Sequence, residues 1–179
     1  MGMCMQCGDR SEKNEPMCKP CKTPNVGLNN KGKRAPTVFV DMDNVLFDFD
    51  TPFNIIKKRT GEEFPQIQPN FFLYLQPMPG ALEGFSFLQE HFDTCILTRP
   101  PVWNIGAYSE KASCIEHYFG IETLHKTFMV PQKQRVIGDY LIDDTTDAGQ
   151  QEFVGRLLKF GPNDFDWPAL IQYFSKMLN

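Results

Sequence analysis

From Thr37 onward, short apolar, β-branched runs alternate with stretches in which apolar residues recur every three or four positions. The run TVFVD at 37–41 predicts a buried strand. Residues 51–60 predict a helix, with Pro52 tolerated in its first turn and Gly61 as its stop. Residues 62–78 lack a period and carry Phe71, Phe72 and Tyr74. Leu82, Phe85, Leu88 and Phe92 predict a second helix over about 80–92, before a strand at 94–98 and a loop with Pro100 and Pro101. A third helix is expected over 107–119. Strands are expected near 127–130, 139–142 and 156–160, and a last helix at 167–178. Strands alternating with helices predict an α/β fold with a parallel sheet covered on both faces.

In such sheets ligands bind beyond the carboxyl ends of the strands. The first strand runs into Asp41-Met-Asp43, the second ends in Thr98, and DYLI at 139–142 runs into Asp143-Asp144. Close carboxylates repel unless a cation lies between them, and a cluster of hard oxygen donors suits Mg²⁺. Lys133, just upstream of the DYLI strand, is placed to neutralise a bound anion.

Composition adds a boundary. The net charge is −4, but residues 1–36 hold seven Lys/Arg against three Asp/Glu, while the remainder holds eleven against nineteen. A basic arm on an acidic body suits contact with a polyanion such as nucleic acid, and is equally the composition of a solvated tail. Residues 25–36 are rich in Asn, Gly and Lys and read as a linker. Cys4, Cys7, Cys18 and Cys21 make two CxxC pairs in residues 1–24. Four thiolates at that spacing suit a compact structural Zn²⁺ knuckle; disulfides or a disordered arm are the alternatives. Cys95 and Cys114 sit in apolar segments and are given no chemistry. With no run near the roughly 18 apolar residues of a spanning helix and no secretory leader pattern, no membrane partner is expected and a cytoplasmic address is.

DMDNV at 41–45 resembles the first motif of the haloacid dehalogenase superfamily, ILTRP at 96–100 its second, Lys133 its third and LIDD at 141–144 its fourth. Order and spacing hold over residues 37–144. More narrowly, DMDNVLFDFD at 41–50, NFFLYLQPMPGA at 70–81, YSEKASCIEHYFG at 108–120 and the ten-residue step from Lys133 to Asp143 resemble the 5′(3′)-deoxyribonucleotidases. The resemblance implies a Rossmann-like core over 37–179, with a reduced cap at about 51–78; the knuckle-like arm, read from its cysteine spacing, lies ahead of it.

It also implies roles. Asp41 would attack phosphorus, and Asp43 would protonate the leaving alcohol and then activate water. Mg²⁺ would be held by Asp41, the Asp43 carbonyl and Asp144, with Asp143 in support. Thr98 would hydrogen-bond a phosphoryl oxygen, and Lys133 would stabilise its charge. Lys111 matches a helix lysine that reaches the phosphate. Arg99 stands where a small polar residue is common, and is counted with Phe49 and Lys111 among the candidate substrate-binding residues. Phe49 occupies the place of an aromatic that stacks on the base, and is equally suited to a core position. Asp48 and Asp50 read as polar and capping residues.

Asp41 and Thr98 are 57 positions apart, a short insert that leaves an open site. The implied function is hydrolysis of a small phosphate ester, a (deoxy)nucleoside monophosphate. Alternatives are a polynucleotide end phosphatase and a zinc-dependent binding module on an inactive scaffold. Oligomeric state has no signature here.

Overall fold

The computed structural model describes residues 2–3, 10–11 and 34–178. The chain divides into two compact units, residues 1–35 and 36–179. In the first, Gly2–Met3 pairs antiparallel with Arg10–Ser11. The two CxxC pairs lie outside the described residues.

The second unit is built on five parallel strands: β1 Thr37–Val40, β2 Asp93–Thr98, β3 Thr127–Met129, β4 Ile137–Asp143 and β5 Val154–Lys159, in the order β3-β2-β1-β4-β5. The helices are α1 Asp50–Thr60, α2 Ala81–His91, α3 Ala107–Phe119, the single turn α4 Ile121–Leu124, and α5 Trp167–Ser175. This strand order reverses direction between β1 and β4, and a crevice opens at such a switch point. Val40 is level with both Ile96 and Ile142, so the chain after β1 leaves the sheet beside the tip of β4.

Alternation along the strands sorts the core. Val38, Val40, Ile96, Ile142 and Leu158 join one cluster with the buried side chains of α2, α3 and α5. Phe39, Cys95, Leu97 and Leu141 face the other way and meet Phe153, with Val130, Val136 and Leu157 at the margin. The expected helices on both faces are therefore not found: among the described residues, every buried helical apolar side chain belongs to the first cluster. The cause is connection length. A parallel crossover through a helix needs about a dozen residues or more, and 130–136 and 144–153 fit only the 3₁₀ turns Lys133–Arg135 and Gln150–Glu152.

Other boundaries moved slightly. β4 begins at Ile137 rather than 139, and α5 stops at Ser175 rather than 178. Phe92 leaves α2 in extended conformation. Gly61 ends α1 in the left-handed conformation as expected, at φ 73°. Helix α5 is capped by Asp166, whose side chain accepts from the Ala169 amide. It also carries Trp167, whose indole donates to the Val45 carbonyl at 2.9 Å and so ties the last helix to the loop after β1. Among the described residues no helix is long and apolar enough to cross a membrane.

Candidate active site

The loop after β1 is folded by its own apolar residues. Met42, Val45, Leu46 and Phe47 are wholly buried, and the Leu46 and Phe47 amides both return to the Met42 carbonyl. That reversal needs one residue in the left-handed region, and Asn44 supplies it at φ 55°. Asn44 also works with its side chain. Its Oδ1 accepts from the Phe49 and Asp50 amides, and its Nδ2 donates to Asp144 at 3.1 Å and Asp50 at 3.2 Å. Asp48 accepts from the Thr51 amide at 3.0 Å, the capping role expected of it.

Three carboxylates meet at the switch point. Oxygens of Asp41, Asp143 and Asp144 all lie within 4.8 Å of one another. Lys133 is inserted between two of them, with Nζ 2.7 Å from Asp41 Oδ1 and 2.7 Å from Asp143 Oδ2. The Met42 amide also donates to Asp41 Oδ1, so among the described residues Asp41 Oδ2 has no hydrogen-bond partner. Asp143 is held on its other oxygen by the Thr145 amide and hydroxyl and by Gln150. Gln150 in turn donates to the Thr145 hydroxyl.

Titration follows from this crowding. Burial pushes the Asp144 carboxyl up to about 6, and the charge on Asp41 pushes the same way, against the Asn44 hydrogen bond. Asp143 is raised by burial and by Asp41. For Lys133 burial acts downward, but Asp41 and Asp143 outweigh it and hold its pKa above the ordinary lysine value. One ammonium among three carboxylates leaves negative charge in excess. The all-oxygen donor set suits a hard divalent cation.

Asp43 is about a quarter exposed. Its Oδ2 meets Lys111 Nζ at 2.5 Å, while its Oδ1 is buried without a partner. Burial raises its pKa, and Lys111 opposes the rise. Lys111 is itself wholly buried, 3.0 Å from the Thr98 hydroxyl and over the Phe72 ring at 4.3 Å.

Asp41, Asp43, Phe49, Arg99, Lys133 and Asp144 line one pocket of about 250 Å³, with Asn44, Asp50, Thr145 and Gln150. Thr98, Lys111 and Asp143 are buried outside its lining. Phe49 is both wall and core: it lines the pocket and packs on Phe53, Phe71 and Phe72. Asn44, Gln150 and Glu110 were missed by sequence reasoning. Glu110 accepts from the Asn70 amide at 2.8 Å and the Phe72 amide at 3.2 Å, pinning the aperiodic segment to α3. Cys95 and Cys114 are buried free thiols, pushed up by burial to about 11 and about 12.

Comparison with known proteins bears on this geometry. No family model matches the chain. A Vibrio phage KVP40 protein named "Putative 5′(3′)-deoxyribonucleotidase" is 36% identical over 144 residues, covering 78% of this chain and 85% of its own length. The human mitochondrial 5′(3′)-deoxyribonucleotidase is 32% identical over 153 residues, covering 68% of this chain and 67% of its own. The human cytosolic-type enzyme is 30% identical over 152 residues, covering 66% and 76%.

Proposed function

This chain belongs to the 5′(3′)-deoxyribonucleotidase family of the haloacid dehalogenase superfamily and is a phosphatase of that kind, and from that premise we propose a Mg²⁺-dependent hydrolysis of deoxyribonucleoside monophosphates through a phosphorylated Asp41. The observation that carries this reading is the convergence of Asp41, Asp143 and Asp144 around Lys133 at the β1–β4 switch point.

Asp41 attacks phosphorus through its free Oδ2, and the ester P–O bond breaks toward the sugar oxygen. Asp43 gives its proton to that oxygen; its raised pKa favours the protonated form this step requires. Asp43, now a carboxylate, takes a proton from water, which attacks the phosphoryl group, releases phosphate and restores Asp41. Lys133 stabilises charge on the phosphoryl oxygens. Thr98 accepts from Lys111 at 3.0 Å and so helps to hold it on Asp43, at the strand tip from which its hydroxyl is assigned to a phosphoryl oxygen. Asp41, Asp144 and the Asp43 carbonyl would hold Mg²⁺, with Asp143 in support, and the ion would supply the positive charge that lets a carboxylate approach a phosphate. Phe49 and the reduced cap at 51–78 wall the nucleoside side.

Phosphate release from a panel of 5′- and 3′-deoxyribonucleoside monophosphates, with Mg²⁺ or EDTA, tests the reading. Turnover of at least one nucleotide, lost in EDTA, is expected; turnover indifferent to EDTA overturns the metal requirement. For Cys4, Cys7, Cys18 and Cys21 the proposal of one structural Zn²⁺ rests on ligand type and spacing alone. Metal analysis of chain purified under reducing, chelator-free conditions should find about one zinc per chain, and none would refute it.

A further inference from the structure

Two cavities meet at Arg99. It stands in the wall of the pocket that holds Asp41 and Lys133, and in the wall of a second, apolar groove of about 480 Å³ formed by Phe64, Ile67, Val102 and Trp103. Lys111 and Lys133 are both occupied by carboxylates. Arg99 is exposed, and among the described residues it makes no ion pair or hydrogen bond. A planar guanidinium free at such a junction suits a second phosphate-type anion. Beyond it the groove offers aromatic and apolar faces to solvent: Trp103 is 85% exposed, Val102 62% and Phe64 51%. Stacking of bases on such faces is tolerant of sequence.

The other flank argues the same way. The neighbouring cavity of about 790 Å³ is lined by Asp48, Asp50, Asp144, Asp164 and Asp166. An anionic chain leaving the reacting phosphate is repelled on that side and attracted on the side of Arg99.

We propose that Arg99 and the groove beyond it form a second-nucleotide subsite, so that the enzyme removes the terminal phosphate of a short single-stranded oligodeoxynucleotide. Arg99 pairs with the phosphodiester next to the reacting phosphate, and the following base stacks on Trp103. The reaction is the same hydrolysis. Asp41 attacks the terminal phosphorus, the terminal ester bond breaks and the oligonucleotide leaves with a free hydroxyl; water then releases phosphate from Asp41, and the internal phosphodiester is untouched. The inference rests on the phosphatase reading above and extends its substrate class.

The test compares kcat/KM for thymidine monophosphates with that for thymidine dinucleotides phosphorylated at the 5′ or the 3′ end, for wild type, Trp103→Ala and Arg99→Ser. In wild type one phosphorylated dinucleotide should exceed the corresponding monophosphate by about tenfold or more. Trp103→Ala, a change at an exposed side chain, should bring that ratio close to about one through a higher KM for the dinucleotide. Arg99→Ser should lower it and weaken its dependence on salt. A wild-type ratio at or below about one overturns the subsite. So does a ratio unchanged in Trp103→Ala, the result expected if the groove holds the base of the mononucleotide itself. Turnover of monophosphates alone refutes the subsite and spares the phosphatase reading; inactivity on every substrate refutes both.

Discussion

Lys111 Nζ lies 2.5 Å from Asp43 Oδ2, wholly buried, with the Phe72 ring beneath it and the Thr98 hydroxyl beside it. The next residue back on α3, Glu110, holds the backbone of Phe72 through the Asn70 and Phe72 amides. Asp43 is thus aimed by a chain of contacts that begins at a carboxylate outside the pocket lining. Acid catalysis matters only when the leaving group is a poor one. Asp43→Asn should therefore slow the first step, release of the nucleoside on phosphorylation of Asp41 in a single-turnover measurement, by about 10²–10⁴. It should slow the same step far less with p-nitrophenyl phosphate, while the second step, in which Asp43 activates water, slows equally for both. Glu110→Gln, a positioning change, should show the same selectivity at about tenfold on the nucleotide. Equal losses on both substrates would assign Glu110 to the fold alone.

Lys133 joins Asp41 to Asp143 and is almost completely buried. Removing one partner of a buried ion pair leaves charge uncompensated, at a cost of about 3–5 kcal/mol. Lys133→Met should lose about that much in urea unfolding at pH 7 with an unchanged m value, and about 10²–10³ in kcat. Undiminished turnover would remove Lys133 from the chemistry.

Asp144 sets a pH dependence with a definite sign. Its carboxyl is raised from 3.8 to about 6 in the folded chain, so the folded state binds the proton more tightly than the unfolded one. Stability of EDTA-treated protein should therefore fall as pH rises from about 4 through about 6. Asp144→Asn should flatten that slope and raise the thermal midpoint at pH 7. Mg²⁺ competes with the proton for the same oxygens, so its stabilising effect should grow over the same interval and shrink in the variant. A melting profile with the same slope in both proteins would contradict the assignment.

Gly84 faces the indole of Trp167: a Cβ there would lie 2.0 Å from Trp167 Cε3. Ala is favoured over Gly in a helix by roughly 1 kcal/mol, but forcing volume into a packed core costs about 1–3 kcal/mol. Gly84→Ala should lower the thermal midpoint. Because Trp167 also holds the Val45 carbonyl, four residues beyond Asp41, it should depress turnover as well. A raised midpoint would show that Trp167 has room to move.

The strand tips were legible because their chemistry is local: an apolar run ending in paired acids states both a buried strand and a charge problem at its end. Lys133 was legible only through its ten-residue step to Asp143, since a lone lysine looks like surface. Asn44, Glu110 and Gln150 were not legible as functional. Their work depends on which amide or carboxylate lies opposite in space; Glu110 meets amides 38 and 40 positions away in the chain. Among the described residues, the lack of helices on the second face of the sheet was signalled by connection lengths, which the alternation of strands and helices outweighed. Phe49 was divided between stacking and core; it packs on Phe71 at the pocket edge, so the core contact is observed and stacking on a base belongs to the proposal.

The central claim is that Asp41 is the group that becomes phosphorylated. The most direct measurement is steady-state kcat of Asp41→Asn on the best deoxynucleotide in Mg²⁺, with circular dichroism confirming that the fold is kept. Loss by a factor of about 10⁴ or more is predicted, because no neighbouring group can replace a covalent nucleophile. Turnover within about tenfold of wild type would contradict the account and transfer the reaction to direct attack by water.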